Sequence, residues 1–243
     1  MEERTEFTPA RHAFRFPNRF RNVIWSGRLP PWTGRTKTVT SRGRCGGMVF
    51  SALDHFHAGR PVPPSTPHDF DGAEVPPDGH PLADHLHSRQ LHSMVTSWCG
   101  ALNGLRFLLW SLLPTAALTT RTSRELEKIV ASIDDGVPVA LGLVTASSVR
   151  PGHLGRNHQA VCHGYRKSSS GEVDLLIYDP NHPYDPSSPE RSDIVLRRAD
   201  SETSGAEPPS FPYRSSSTAG RTRYWRGFFL ERYRFRTPPA PLR

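Results

Sequence analysis

From Cys45 onward, the hydrophobic pattern of this chain changes its period once, between Gly136 and Pro138. Before this point apolar residues recur at helical spacing, and after it they form short runs typical of β-strands. Helices followed by strands predict an α+β fold with a mostly antiparallel sheet. The sheet half is expected over about residues 137–236. Its predicted strands are VPVALGLVT, HQAVCHGY, EVDLLIYD, DIVLRR and RYWRGFFLERYRF.

The helical half is expected over about residues 45–135. A first helix is predicted to begin at Cys45, where two glycines follow the cysteine, and a second region of helical spacing runs from Leu82 to Leu113. That region is expected to form two helices with a break near Gly100 or Gly104. Thr122 and Glu125 form a T-x-x-E capping box, which predicts the start of a further helix.

An aromatic segment precedes the helical half. Phe14, Phe16, Asn18 and Phe20 occur at every second position, and this period predicts a short extended segment with one inward face. The stretch over residues 27–44 is rich in Gly, Pro, Thr and Arg and is expected to be a loop.

One domain is expected over residues 13–236, because a 243-residue chain with only 35% hydrophobic residues has apolar material for a single core. Polar tails flank it at residues 1–12 and 237–243. A proline-rich surface excursion is expected at residues 60–81, and a mobile loop at residues 199–220, where apolar residues are few.

The basic residues outnumber the acidic ones by 31 to 23. Because the arginines are spread along the chain and alternate with acidic residues, they indicate a solvated surface rather than a nucleic-acid partner. The run RYWRGFFLERYRF, at residues 223–235, has the cations and rings of a base-stacking surface. The preferred interpretation is that its aromatic side chains pack beneath the helices while the arginines face water.

Compartment and cofactor follow from what the sequence lacks. No apolar run approaches the roughly 18 residues of a membrane span, and the first residues, MEERTEFTPARH, contain no apolar signal segment. Three widely spaced cysteines do not form a disulfide framework, so a cytoplasmic location is expected.

Twelve histidines occur without H-E-x-x-H or paired C-x-x-C spacing, and no metal site is expected. The oligomeric state stays open.

Cys45 is the candidate nucleophile. A lone cysteine on a helix is usually a small buried hydrophobic residue, and Cys99 and Cys162 are interpreted in that way. Cys45 differs because it lies in RCGGM at the start of a helix, where the helix dipole and free backbone N–H groups favour a thiolate and could hold an oxyanion.

His158 and Asp179 complete the candidate site. His158 opens a predicted strand in NHQAVCHGY, and Asp179 closes the next one in LLIYDPNHP, so a hairpin would bring imidazole and carboxylate together. His163 has the parity to face the other side of its strand. Asp179 could also be an ordinary turn residue before proline. Asn181 could share or replace its orienting role, and Gln159 could satisfy only backbone groups beside the base.

These motifs resemble the papain-like cysteine peptidase superfamily, and within it the bacterial double-glycine-leader peptidase branch. The resemblance rests on RCGGM at a helix start, NHQAV in a strand that ends in Gly-Tyr, and a strand that ends in YDP. It implies a helical half that carries Cys45, packed on a sheet half that carries His158 and Asp179, with the substrate in the cleft between them. It further implies a peptide or amide substrate and no cofactor.

One departure concerns the oxyanion hole. The superfamily has a glutamine a few residues before the cysteine, and VTSRGR before Cys45 contains none. Asn18 is the expected substitute because it shares the inward face of the aromatic segment, and Asn22 is a weaker candidate. Loss of one oxyanion donor costs about 3–4 kcal/mol of transition-state stabilisation.

Two interpretations of activity therefore stay open. The chain is expected to be a cysteine hydrolase that acts through a thioester, which an amine could also resolve by acyl transfer. The alternative is a catalytically inactive binding or regulatory module of the same fold, which the missing glutamine favours and the retained Cys, His and Asp residues disfavour.

Overall fold

The computed structural model confirms the α+β class. It describes residues 1–28, 36–95, 102–199, 211–217 and 222–240, and for residues 22–28 and 36–42 it describes the backbone. The helices are α1 (Pro9–His12), α2 (Cys45–His57), α3 (Pro81–Met94), α4 (Leu102–Leu112), α5 (Thr115–Asp134) and α6 (Pro151–Leu154).

The described strands form one large antiparallel sheet and one hairpin. They are β1 (Glu2–Arg4), β2 (Arg21–Arg28), β3 (Thr36–Arg42), β4 (Val139–Val144), β5 (His158–Lys167), β6 (Val173–Tyr178), β7 (Ile194–Arg198), β8 (Tyr213–Ser217), β9 (Thr222–Trp225) and β10 (Gly227–Leu230). The large sheet has the order β10-β4-β5-β6-β7-β8-β9, with β1 beside the second half of β5, and β2 pairs with β3. Only Arg226 separates β9 from β10, although they lie at opposite ends of this order, so the sheet is strongly curled.

Two helices cover opposite faces of the sheet. Alternate residues of β4 and β5 enter different clusters: Leu141 and Ala160 pack with Ile129 of α5, whereas Ala140 and Val161 pack in the cluster that contains Val49 and Phe50 of α2. All six residues of β4 are buried. Burial on both faces explains why this strand is a continuous apolar run rather than an alternating one.

The expected N-terminal tail belongs to the domain. Residues Glu2–Arg4 pair with β5 from Arg166 to Gly164, and Phe7 is buried against the rings of His163 and Tyr178. The prediction of a polar tail was wrong because unpaired backbone groups at the end of β5 recruit the strand, a tertiary contact without a local signal.

The C-terminal end is also held. Asp54 of α2, fully buried, binds Arg89 of α3, the Tyr233 hydroxyl and the Arg236 backbone N–H. Arg60 donates to the Pro238 carbonyl oxygen over 2.7 Å. Residues 231–240 therefore lie along the helical layer, and the predicted tail over residues 237–243 begins inside the folded body.

Three further expectations need correction. Part of the predicted mobile loop, residues 213–217, is β8, and residues 200–210 and 218–220 lie outside the described residues. The proline-rich excursion at residues 60–81 is not wholly at the surface, because Val62 and Phe70 are buried beside Phe16. Part of the predicted loop at residues 27–44 is the hairpin strand β3.

The aromatic segment is irregular rather than extended. Residues 13–20 form no strand, yet Phe14, Phe16 and Phe20 are buried in one cluster with Leu82 and Leu86 of α3. The inward face was predicted correctly, but the backbone follows the helices instead of a strand partner.

Helix α5 begins seven residues before the predicted capping box. Thr122 lies in its middle and accepts a hydrogen bond from the Phe228 backbone N–H, and Glu125 accepts one from the Leu230 N–H. Their spacing of three residues thus serves to dock α5 on β10. In the part of the chain that the structure describes, no helix combines the length and apolar character needed to cross a membrane.

The contact between α2 and α3 depends on the absence of a side chain at Gly47. A Cβ there would lie 2.0 Å from the Leu86 carbonyl oxygen, which is backbone and cannot rotate away. We expect Gly47→Ala to lower the free energy of unfolding by about 3 kcal/mol, because the two helices must separate.

Urea unfolding followed by circular dichroism measures this change. Gly152→Ala in α6 is the matched control, since a Cβ there meets nothing within 4 Å and should leave the midpoint within error. Equal midpoints for the two variants would contradict the packing argument.

Candidate active site

Cys45 is the first residue of α2 and is partly exposed. The glycine that follows it allows β5 and α3 to approach the helix start, since a Cβ at Gly46 would lie 2.1 Å from both the Gln159 Oε1 atom and the Ser93 Oγ atom. Gly47 donates its backbone N–H to the Gln90 Oε1 atom over 3.0 Å. The CGG sequence therefore sets the cysteine at a helix start that is packed closely on its other side.

His158 and Asp179 meet as predicted from their strand positions. His158 is the first residue of β5 and Asp179 directly follows β6, and the His158 Nε2 and Asp179 Oδ1 atoms are 2.6 Å apart. Only 4% of His158 and 1% of Asp179 is exposed. One face of the imidazole ring stacks on the Trp225 ring, with 6.1 Å between the ring centroids.

The side chain of Cys45 interacts with the His158 ring and favours the charged form of the imidazole. Because the Nε2 atom is bound to Asp179, this leaves Nδ1 for the sulfur. Burial opposes a charge on His158, but the carboxylate of Asp179 and the contact with Cys45 outweigh it and raise the pKa of the ring to about 9. Burial likewise opposes a charge on Asp179, but His158 and His182 hold the pKa of its carboxyl well below the usual range.

Asn181 and Asn18 brace this arrangement. The Asn181 backbone N–H donates to Asp179 over 2.8 Å, and its Nδ2 atom lies 3.1 Å from the His158 Nε2 atom. Asn18 donates to the Asn181 Oδ1 atom over 3.4 Å and accepts a hydrogen bond from the Arg44 backbone N–H over 2.5 Å. Asn18 thus joins the loop before the cysteine to the loop after the aspartate.

The approach of Asn18 requires glycine at position 43. Gly43 has a φ of +81°, in the left-handed region, and a Cβ there would lie 2.7 Å from the Asn18 Nδ2 atom. The amide of Asn18 therefore lies beside the backbone of RGRC, directly before the cysteine. The side chain of Asn22, the weaker candidate, lies outside the described residues.

Gln159 is more than a backbone partner. Its Oε1 atom lies 3.8 Å from the Cys45 sulfur and 3.4 Å from the Ser93 Oγ atom. Its Nε2 atom donates to both carboxylate oxygens of Glu231, each over 2.8 Å. Gln159 and Glu231 are 2% and 4% exposed, so a buried carboxyl lies one side chain behind the candidate nucleophile.

Sequence reasoning missed Ser93 and Glu231. Ser93 shares the helical spacing of Leu86 and Gln90, at i, i+4 and i+7, and this spacing could have placed it on the face of α3 that meets α2. Glu231 had no such signal, because a carboxylate between Leu230 and Arg232 resembles an ordinary surface residue at the end of a strand.

Other candidates lie apart from this site. Cys162 is fully buried, and burial raises the pKa of its thiol to about 12, as befits a core residue. His163 lies at a bulge of β5, where burial lowers its pKa to about 4. Arg226, expected to face water, is instead buried and donates to the Ala146 carbonyl oxygen. Cys99 lies outside the described residues.

Two cavities, of about 470 and 1320 Å³, open on the sheet away from the site. Arg4, His163 and Arg214 contribute to the first, Val173 and Phe228 to the second, and none of Cys45, His158 and Asp179 lines either. Among the described residues no group of three or more His, Cys, Asp or Glu side chains is arranged to hold a metal ion.

Comparison of the chain with known protein families, with curated proteins and with solved structures finds no match.

The buried carboxyl of Glu231 predicts a pH-dependent stability. Burial raises its pKa from about 4.5 to about 8, so the folded chain holds this proton more tightly than the unfolded chain does. Its contribution to the free energy of unfolding should fall as the pH rises between these two values and stay constant above them. Glu231→Gln should remove this fall, which amounts to a few kcal/mol.

Guanidinium unfolding of both chains from about pH 5 to about pH 8.5 measures the difference, in which groups common to both cancel. Exposed Glu127→Gln in α5 is the control and should track the wild type. A difference between wild type and Glu231→Gln that stays constant over this range would show that Glu231 ionises normally.

Proposed function

We propose that this chain is a papain-like cysteine hydrolase of peptide or amide bonds. The observation that carries the proposal is the position of Cys45 at the start of α2, in interaction with the ring of His158, whose Nε2 atom is bound to the carboxylate of Asp179. Nucleophile, base and orienting carboxylate are the three parts that acyl transfer through a thioester requires.

The first step uses the His158 ring as a base. The Cys45 thiol gives its proton to the Nδ1 atom, and the sulfur attacks the carbonyl carbon of the substrate while the carbonyl π electrons move to oxygen. Asp179 stabilises the imidazolium because its charge lies 2.6 Å from the Nε2 atom in a buried setting. The raised pKa of His158 supports this role, since the ring must accept a proton from a thiol.

The oxyanion would be held at the start of α2. Arg44 and Gly47 donate their backbone N–H groups to Asn18 and Gln90, which leaves the Cys45 N–H as the donor beside the sulfur. Asn18 is the proposed second donor: one N–H of its Nδ2 atom is directed at Asn181, and the other is left for the oxyanion. An amide at this place would replace the glutamine that VTSRGR lacks.

The second step releases the products. The tetrahedral intermediate collapses, the C–N bond breaks, and His158 returns its proton to the leaving amine, which leaves a thioester on Cys45. Water then attacks the thioester as His158 removes its proton, the C–S bond breaks, and the thiol is re-formed with a carboxylic acid as product. An amine in place of water would give acyl transfer by the same steps.

A non-catalytic module is the second candidate. It is favoured by the deep burial of His158 and Asp179. In that case the His158–Asp179 pair would hold the loop after β6 against β5, and the cysteine would have no special reactivity.

Alkylation of Cys45 separates these candidates. At about pH 6.5 a free cysteine, with a pKa of about 8.5, is almost entirely protonated and reacts slowly with iodoacetamide. We expect Cys45 to react at least about tenfold faster in the wild type than in His158→Ala, since the imidazolium stabilises the thiolate. Mass spectrometry of the alkylated peptide assigns the site.

The matched control is His87→Ala, because His87 is exposed on α3 and distant in sequence from the site. It should leave the rate unchanged. If wild type and His158→Ala show the same rates from about pH 5 to about pH 9, the non-catalytic interpretation is correct.

Hydrolysis is tested with quenched fluorescent peptides, including a set with a Gly-Gly pair because of the resemblance to the double-glycine branch. Cys45→Ala should abolish cleavage. Asp179→Asn should lower kcat by about 10²–10⁴-fold, since an amide cannot stabilise the imidazolium as a carboxylate does. A second arm adds a primary amine, and mass spectrometry distinguishes acid from amide product.

Cleavage by Cys45→Ala at the wild-type rate would exclude this cysteine as the nucleophile. Asp193→Asn serves as the carboxylate control, because Asp193 is exposed and belongs to the loop before β7.

A further inference from the structure

Gln159 contacts the nucleophile, with 3.8 Å between its Oε1 atom and the Cys45 sulfur. The two residues are neighbours on β5, and their side chains leave opposite faces of the strand, His158 towards Trp225 and Gln159 towards α2. Contact of the Gln159 amide with the sulfur, 3.8 Å away, is enforced by Gly46, whose missing side chain is the space that the amide fills.

The two ends of an amide are not equivalent. The oxygen only accepts hydrogen bonds and the NH₂ group only donates them. Ionised Glu231 also only accepts, so it holds the NH₂ group of Gln159 on its own side, and the oxygen then faces Cys45. An amide oxygen can accept a hydrogen bond from a thiol, but it repels a thiolate.

A protonated Glu231 reverses this preference. Its hydroxyl can donate to the Gln159 oxygen, which turns the amide about its terminal bond and directs the NH₂ group at the sulfur. The Ser93 hydroxyl lies 2.8 Å from the Gln90 carbonyl oxygen and 3.4 Å from the Gln159 oxygen. When it donates to Gln90, its oxygen can accept from the turned amide, so Ser93 allows both orientations. The sulfur then has an N–H donor on one side and the His158 ring on the other.

We propose that Gln159 and Glu231 are positioning residues for Cys45, in which a protonated Glu231 turns the Gln159 amide so that its N–H groups stabilise the thiolate. The inference rests on the proposed function, because it concerns the ionic form of the nucleophile that hydrolysis needs. In this proposal Glu231 contacts neither the substrate nor the reacting atoms and acts only through the Gln159 amide.

The surroundings of Glu231 make the protonated form available near neutral pH. Burial raises the pKa of its carboxyl to about 8, against the opposing effects of the Gln159 hydrogen bonds and of the charges on Arg106 and His158. Arg106 of α4 is itself bound to Glu125 and to the Leu230 carbonyl oxygen. The Glu231 backbone N–H donates a hydrogen bond to the Ala140 carbonyl oxygen of β4.

The test is the ratio of iodoacetamide rates for Glu231→Gln and the wild type. Because the variant cannot ionise, it never forces the oxygen of Gln159 towards the sulfur. We expect a ratio near one at about pH 6 and a departure from one above about pH 8, because only the wild-type residue ionises there and turns the amide oxygen towards the thiolate. If residue 231 only filled space, the ratio of alkylation rates would not change with pH.

A second background isolates the amide. In Gln159→Met the sulfur has no amide beside it. The ratio of the alkylation rate of the Gln159→Met, Glu231→Gln double variant to that of Gln159→Met should therefore stay constant over the same pH range. Exposed Glu127→Gln is the matched carboxylate control and should give a ratio of one throughout.

The outcomes separate this inference from the proposed function. A pH-independent ratio overturns the positioning role even if His158→Ala slows alkylation, whereas wild-type rates insensitive to His158→Ala overturn the hydrolase proposal itself. If Glu231→Gln does not fold, carboxyl ¹³C NMR of Cys45→Ser decides the question. By reciprocity Glu231 should then ionise at a lower pH than in the wild type, because serine forms no anion, and an unchanged titration overturns the inference.

Discussion

The close packing of α3 and β5 against the first turn of α2 is the constraint on which the candidate site depends. Gly47 meets a carbonyl oxygen of α3, and Gly46 leaves the space in which Gln159 and Ser93 lie. A side chain at either position would move the first turn of α2 away from β5. Cys45 would then lose its contact with His158, which is fixed on the sheet.

The polar groups around the cysteine form one buried assembly rather than separate pairs. His158 is held by Asp179, Asp179 by the Asn181 backbone N–H, Asn181 by Asn18, and Asn18 by the backbone before Cys45. Buried charges are costly unless they are paired and hydrogen-bonded. The assembly meets that cost with short contacts, and the low local polarity strengthens the coupling among its protons.

Local sequence patterns predicted those helices and strands whose buried face appears as a regular spacing of apolar residues. The start of α2 at Cys45, the region of helical spacing in α3 and the strands from β4 to β7 follow from periodicity and from the glycines and prolines that bound them. Thr122 and Glu125 show where this reasoning fails. Their spacing is that of a capping box, but Pro114 already starts α5, and both side chains bind β10 instead. A capping motif and a docking contact look alike until the partner strand is in place.

The sequence by itself determined the α+β class, the aromatic inward face before α2 and the choice of Cys45, His158 and Asp179. Each of these leaves a local mark: a hydrophobic period, a glycine-flanked helix start, or a polar residue at the end of a strand. Only the tertiary structure decided that Glu2–Arg4 joins the sheet and that Glu231 lies behind Gln159. Both contacts depend on hydrogen-bonding groups of β5, which is distant in sequence from both segments. A pattern within a few residues cannot indicate such a distant partner.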